Sequence, residues 1–157
     1  MDVREAGLED IDAIVALIES RRQRLADWEP NFWRKAEASA DMSKAFLPTL
    51  IDDPASTLLV AYEGTLLGGC LQFKPTFVPP VYDPGGTTWM IDDFVVANDR
   101  WDAFGVTLLL ALKAKTIEQS PGQLIFPVPF KDDAAMDFFK QQGLSPTTMW
   151  WTMNGSD

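Results

Sequence analysis

The spacing of apolar residues changes period along this chain, and that change restricts the folds open to it. Between Leu8 and Leu25, apolar residues fall at Leu8, Ile11, Ile14, Val15, Leu17, Ile18 and Leu25, steps of three and four that put one stripe on a helix. Glu9, Asp10 and Asp12 at its start and Arg21, Arg22 and Arg24 at its end complement the helix dipole, so the basic run reads as a solvated last turn. An aromatic-rich turn, WEPNFW, leads into a second helical stretch from about Phe32 to Leu50, closed by Asp52-Asp53-Pro54. The period then shortens. Ser56 to Phe73 reads as a hairpin turning at Glu63-Gly64, and Lys74 to Gly86, rich in proline and glycine, reads as a long loop of the kind that is usually functional or mobile. Thr87 to Ala97 has strand composition, and Gly105 to Glu118 is a helix rich in Leu and Ala. Gln123 to Phe130 is a strand whose two prolines place it at an edge, an end or a bulge. A short helix, Asp133 to Gln142, closes at Gly143, and Thr147 to Met153 reads as a last strand. This alternation predicts an α/β (α+β) domain with a mixed sheet.

At 157 residues the chain suits one domain, residues 1–157, with a core of its own. Its 13 Lys and Arg against 23 Asp and Glu give a net charge of -10. That field repels nucleic acid and anionic membranes and favours amine-bearing partners. The one cysteine, Cys70, excludes an intramolecular disulfide, and the lack of histidine removes every mechanism that depends on imidazole. Cys70 in an apolar strand reads as core. The Asp pairs at 52/53, 92/93 and 132/133 have no converging ligands, so no metal site is expected. Neither an apolar leader nor a long apolar run occurs, so a soluble cytoplasmic protein is expected.

Four stretches, VREAGLEDIDAIVALI, AYEGTLLGGCLQF, MIDDFVVANDRWDAFGVTLLLAL and DAAMDFFKQQGL, occur in an order and spacing that resembles the GNAT superfamily of acetyl-CoA-dependent N-acetyltransferases over essentially the whole chain. The resemblance implies a single GNAT-like domain, its central sheet mixed and mostly antiparallel and flanked by helices. It also implies acetyl-CoA as cosubstrate and the amine of a small molecule or peptide as acceptor.

By that resemblance Asp92, at the first acidic position of the I-E-D-F-x-V pattern, accepts the amine's proton through water. Its other reading is a solvated or capping carboxylate. Strand alternation places Asp92 and Asp93 on opposite faces unless a bulge intervenes, and Asp93 reads as structural. The backbone of Phe94, Val95 and Val96 is implied to hold the thioester and pantetheine arm. The loop of Arg100, Trp101, Asp102, Ala103, Phe104, Gly105 and Val106 is implied to receive the diphosphate at a helix N-terminus.

This sequence departs from the family pattern at several places. Ala103 stands where a glycine is usual. A carboxylate at Asp102, about 5 Å from a phosphate, costs on the order of 3 kcal/mol at an effective dielectric of about 20; Asp102 also reads as an N-cap. Phe139 replaces the tyrosine that protonates the sulfur, and Asp132 replaces an Asn near the coenzyme. These departures also suit a GNAT-fold ligand-binding or regulatory domain without catalysis. Trp28, Glu29, Phe32 and Trp33 correspond to the acceptor pocket, where aromatic faces and a carboxylate suit an ammonium group, although packing between helices explains them equally. Tyr82, in the loop, is a candidate substitute acid. Trp150 and Trp151 point opposite ways in a strand, so one of them marks a possible homodimer contact.

Overall fold

Strand-forming runs between residues 57 and 96 pair in sequence, and the helices before and after them cover the two faces they create. The computed structural model describes residues 1–153 and Gly155. In chain order the elements are β1 (Asp2–Glu5), α1 (Ile11–Trp28), α2 (Ser39–Asp52), β2 (Thr57–Glu63), β3 (Leu66–Pro75), β4 (Thr87–Val96), α3 (Val106–Thr116), β5 (Pro121–Ile125) and α4 (Asp133–Gln141). The five strands lie in the order β1-β2-β3-β4-β5. Neighbours are antiparallel except β4 and β5. That parallel pair needs a crossover, which α3 supplies.

Alternation along the strands sends two sets of side chains to two cores. Leu59, Leu71, Phe73 and Ile91 meet Phe104, Leu108 and Leu112 beneath α3 and α4. Val60, Cys70 and Val95 meet Ile14, Ile18 and Leu47 beneath α1 and α2. Cys70 is fully buried as expected, and burial pushes its thiol well above the usual range. Gly68 of β3 allows the first core to close, because a Cβ there would lie 1.9 Å from the Phe104 ring.

Charge fastens the helices to the sheet. Asp10, buried at the start of α1, accepts both guanidinium nitrogens of Arg4 at 2.6 and 2.9 Å, the Gly7 N–H at 2.8 Å and the Tyr62 hydroxyl at 2.8 Å. The Arg4 bond holds the Asp10 carboxyl down to about 2 against the effect of burial. Tyr62 is pushed up to about 12, first by burial and then by its bond to Asp10. Between α1 and α2, Glu19 accepts from Lys35 at 2.9 Å, Arg22 at 2.8 Å and Ser39 at 2.8 Å. Burial works against the charge of Glu19, but these donors outweigh it and lower its pKa to about 2.

Several sequence expectations are corrected. The second helix starts at Ser39 rather than Phe32; residues before it are held as a connection by Glu19 and by a turn in which the Trp33 N–H donates to Glu29 O at 2.9 Å. β5 stops at Ile125 rather than Phe130, because Pro127 and Pro129 have no ladder donor. Thr147–Met153 forms no strand, since no edge pairs with it, and Trp150 and Trp151 are 77% and 88% exposed. The basic run of α1 is not simply solvated. Arg21 reaches Asp93, Arg22 reaches Glu19 and Ser43, and Arg24 reaches Asp99. No helix among the described residues is long and apolar enough to cross a membrane.

Asp10 and Glu19 are both depressed in the folded state, so their stabilisation is complete above their unfolded values and is lost as pH falls toward 2. Urea unfolding at about pH 5 and about pH 2.5 is expected to differ by roughly 2 kcal/mol from Asp10 alone. Asp10→Asn should flatten that dependence; an unchanged slope would remove Asp10 as its source.

Candidate active site

The site begins where β5 runs out of donors. The parallel register ends at Met90 opposite Ile125, and the stretch 126–129, interrupted by Pro127 and Pro129, leaves the sheet. Beyond that point β4 bonds only to β3. On its other side the backbone of Ile91–Val96 meets no strand among the described residues, although Phe94, Val95 and Val96 are buried. Buried backbone groups without partners are costly, so this edge is built to receive a donor and acceptor from elsewhere.

A β-bulge lies on the same stretch. Gln72 opposes Asp93 and Phe73 opposes Ile91, which leaves Asp92 as the extra residue. Ile91 and Phe94 both pack toward α3 and α4, so the two aspartates between them share the face toward α1. The opposite-face placement expected from plain alternation is thereby overturned. Arg21 of α1, mostly buried, lies 3.4 Å from Asp93. Asp92 is half exposed, with Lys74 at 3.6 Å, and is open to water.

Arg21, Phe94, Trp101, Phe126, Asp132 and Phe139 are among the residues that line a crevice along this free edge. Its interior is crowded by aromatic rings. Phe94 lies 5.1 Å from Trp101 and 5.9 Å from Phe139 by ring centroids, and Trp101 stacks on Phe138 at 5.0 Å. The remaining volume is about 10 Å³, room for about one water. Trp101 is 6% exposed, and its indole N–H has no hydrogen-bond partner.

Residues 100–106 do not form the open loop expected. Trp101–Gly105 is a π-helical turn continuous with α3. The N–H groups of Ala103 and Phe104 both donate to Arg100 O, at 3.3 and 3.0 Å, and that of Val106 donates to Trp101 O. The Arg100 guanidinium is bonded to Glu63 at 2.8 Å and lies over the Phe104 ring at 4.7 Å. Asp102 caps no helix; it is exposed in the first turn, where its charge faces the helix dipole favourably. Asp132, buried, caps α4 by accepting the Ala135 N–H at 3.1 Å.

On the α1 side, Lys131 donates to the Trp28 carbonyl at 2.7 Å, which ties the end of that helix to the entry of α4. Phe32 and Trp33 contact edge to face at 4.6 Å and are partly exposed, so Trp28, Glu29, Phe32 and Trp33 form one region at the end of α1. Tyr82 is not brought there: it lies exposed in the loop. Sequence reasoning missed Arg21 as part of the crevice. The signal was present, since Arg21 follows Ile14 and Ile18 by seven and three residues and so shares their stripe.

No protein-family model and no curated protein sequence matches the chain. Solved structures do. A point mutant of the BH1408 protein from Bacillus halodurans superposes with a TM-score of 0.82 at 18% identity, covering 98% of each chain. A probable acetyltransferase matches at 0.73 and 20%, covering 100% of this chain and 99% of the other. The chain has the GNAT fold. A predicted acetyltransferase from Clostridium acetobutylicum, solved with acetyl-CoA, matches at 0.71 and 15%, covering 98% and 95%.

The residues fit one half of the acyl-CoA that this fold implies. The free β4 edge and the unpartnered Trp101 N–H suit the amides and thioester carbonyl of the pantetheine arm. The diphosphate half fits less well, since the Ala103 and Phe104 N–H groups donate to Arg100 O, the Arg100 guanidinium is bonded to Glu63 and Asp102 is negative.

The Phe94 ring joins β4, α3 and α4, so Phe94→Ala is expected to cost about 3–5 kcal/mol in denaturant unfolding. A loss below about 1 kcal/mol would mean the rings do not pack as described.

Proposed function

We propose that this GNAT-fold chain is an N-acetyltransferase that moves an acetyl group from acetyl-CoA to the amine of a small molecule or peptide. The observation that carries the reading is the free, buried edge of β4 ending at a bulge that presents Asp92 to water. The similarity to acetyltransferases supports it at the level of the fold. Acetyl-CoA supplies an activated acyl group as a thioester. The N–H groups of Phe94–Val96 on the free side polarise the thioester carbonyl and stabilise charge that develops on its oxygen. Asp92 takes the ammonium proton through water, which leaves a neutral amine to attack. Arg21 engages Asp93, so the second carboxylate is occupied and the two aspartates play different parts.

Trp28, Glu29, Phe32 and Trp33 offer aromatic faces and one carboxylate to a cationic acceptor, in keeping with the net charge of -10. Phe139 has no proton to give, so the departing thiolate is protonated by water. The exposed Trp150 and Trp151 are the surface where a homodimer contact is proposed. A second reading, a GNAT-fold ligand-binding or regulatory domain without transfer, is favoured by one observation: the ring-filled crevice leaves about 10 Å³.

Thiol release from acetyl-CoA, followed with a panel of small aliphatic and aromatic amines, separates the two. Amine-dependent release is expected, with Asp92→Asn lowering kcat/KM by about 10²–10⁴ and Asp93→Asn much less. Binding of acetyl-CoA with no amine-dependent release would favour the domain without transfer. Full activity in Asp92→Asn would remove Asp92 as the proton acceptor.

A further inference from the structure

Around Asp92 the charges balance, although over the whole chain they do not. In plain register β3 would set Phe73 opposite Asp92; the bulge makes Asp92 the extra residue and turns it to the face that carries Lys74, whose partner across the ladder is Met90. Lys74 Nζ lies 3.6 Å from Asp92 Oδ2, and Arg21 lies 3.4 Å from Asp93. Two carboxylates and two cations therefore meet on one stretch, in a chain where Asp and Glu outnumber Lys and Arg 23 to 13. Both pairs are loose. Elsewhere Arg4, Arg24, Lys35, Lys44 and Arg100 lie 2.6–2.9 Å from their carboxylates, the usual length of a charge-assisted bond. The gap between Lys74 and Asp92 is too long for a hydrogen bond. Their side chains are 45% and 47% exposed, so the pair adds little to stability and is open to an incoming molecule.

Resting on the acyl-transfer reading above, we infer that the acceptor is an α-amino acid, whose ammonium approaches Asp92 while its carboxylate is taken by Lys74. Any ammonium that reaches Asp92 also comes close to the ammonium of Lys74, and that like-charge approach penalises a simple monoamine or a polyamine. A carboxylate on the adjacent carbon removes the penalty. It replaces Asp92 as the partner of Lys74 while the acceptor's ammonium replaces Lys74 as the partner of Asp92, and the local charge stays balanced. Asp93, engaged by Arg21, takes no part in the exchange. A peptide N-terminus, with an amide in place of that carboxylate, gains nothing from Lys74. In the transfer the nitrogen forms an amide bond to the acetyl carbon as the C–S bond breaks; the ammonium proton passes to Asp92 through water, and the thiolate takes a proton from water. The product keeps its carboxylate and has lost its positive charge, so Asp92 no longer holds it and the net charge of -10 favours its release.

The test follows thiol release from acetyl-CoA by the intact protein with a panel of L-amino acids, each beside its carboxamide and its decarboxylated amine. A kcat/KM for the acid about tenfold or more above both counterparts is expected for the best side chain, the worth of one charge-assisted bond. Lys74→Met keeps the length of the stem and removes the charge; once its thermal midpoint shows that it folds, the preference should collapse to within about threefold, and Lys74→Arg should retain it. Equal or better use of the amine or carboxamide by the unaltered protein, or a preference that persists in Lys74→Met, would overturn the inference and leave the acyl-transfer reading intact. Absence of release with every acceptor would overturn both.

Discussion

The parting of β4 from β5 is the constraint on which the rest of the site depends. It has a chemical cause in two residues, Pro127 and Pro129, which cannot donate to a ladder. Once β5 leaves the sheet after Ile125, the inner part of β4 is buried and bonded on one side only. The bulge at Asp92 turns two successive carboxylates toward α1. A strand that was regular and paired on both sides would have neither a crevice nor a pair of aspartates on one face.

In a chain with a net charge of -10, the cations are the scarce group, and their placement shows what the fold must hold together. Arg4 secures the start of α1 to β1, Arg21 secures its middle to β4, and Arg24 secures the next turn to Asp99. Arg100 is tied to the end of β2 through Glu63. Each of these cations already faces a carboxylate, so the basic run near residue 22 attaches α1 to the sheet and is not an anion site.

Much of the fold was legible because it rests on local periodicity. The stripe from Ile11 to Leu25, the hairpin about Gly64 and the helix closed by Gly143 are set by spacing and by residues that favour turns. The aromatic and acidic positions of the candidate site were named through resemblance, and the structure brings Phe94, Trp101, Asp132 and Phe139 to one crevice. The bulge was not, since Asp92 and Asp93 carry no mark of which one will be extra; that is decided by pairing with Gln72 and Phe73 across the strand. The state of residues 101–105 was also hidden. Whether their N–H groups face outward or close a π-helical turn depends on the burial of Trp101 and Phe104 against β3, β4 and α4, contacts that are distant in sequence. The strand expected at Thr147–Met153 had the right composition, but composition cannot provide an edge to pair with.

The crevice is overfilled by one measure and underfilled by another. Phe94, Trp101, Phe126, Phe138 and Phe139 occupy its space, and displacing any of those rings exposes apolar area at about 25 cal/mol per Å². Yet the rings satisfy none of the hydrogen bonds that β4 and Trp101 leave open, since aromatic carbon neither donates nor accepts. A ligand that replaces ring contacts with its own methylenes while pairing its amides with the strand recovers the burial and removes the unmet bonds together. A purely apolar ligand recovers only the first, and an anionic one is disfavoured by Asp132 and by Arg21 already facing Asp93 in the crevice lining. That balance of buried rings and unmet bonds is the physical support for the acyl-donor reading proposed above.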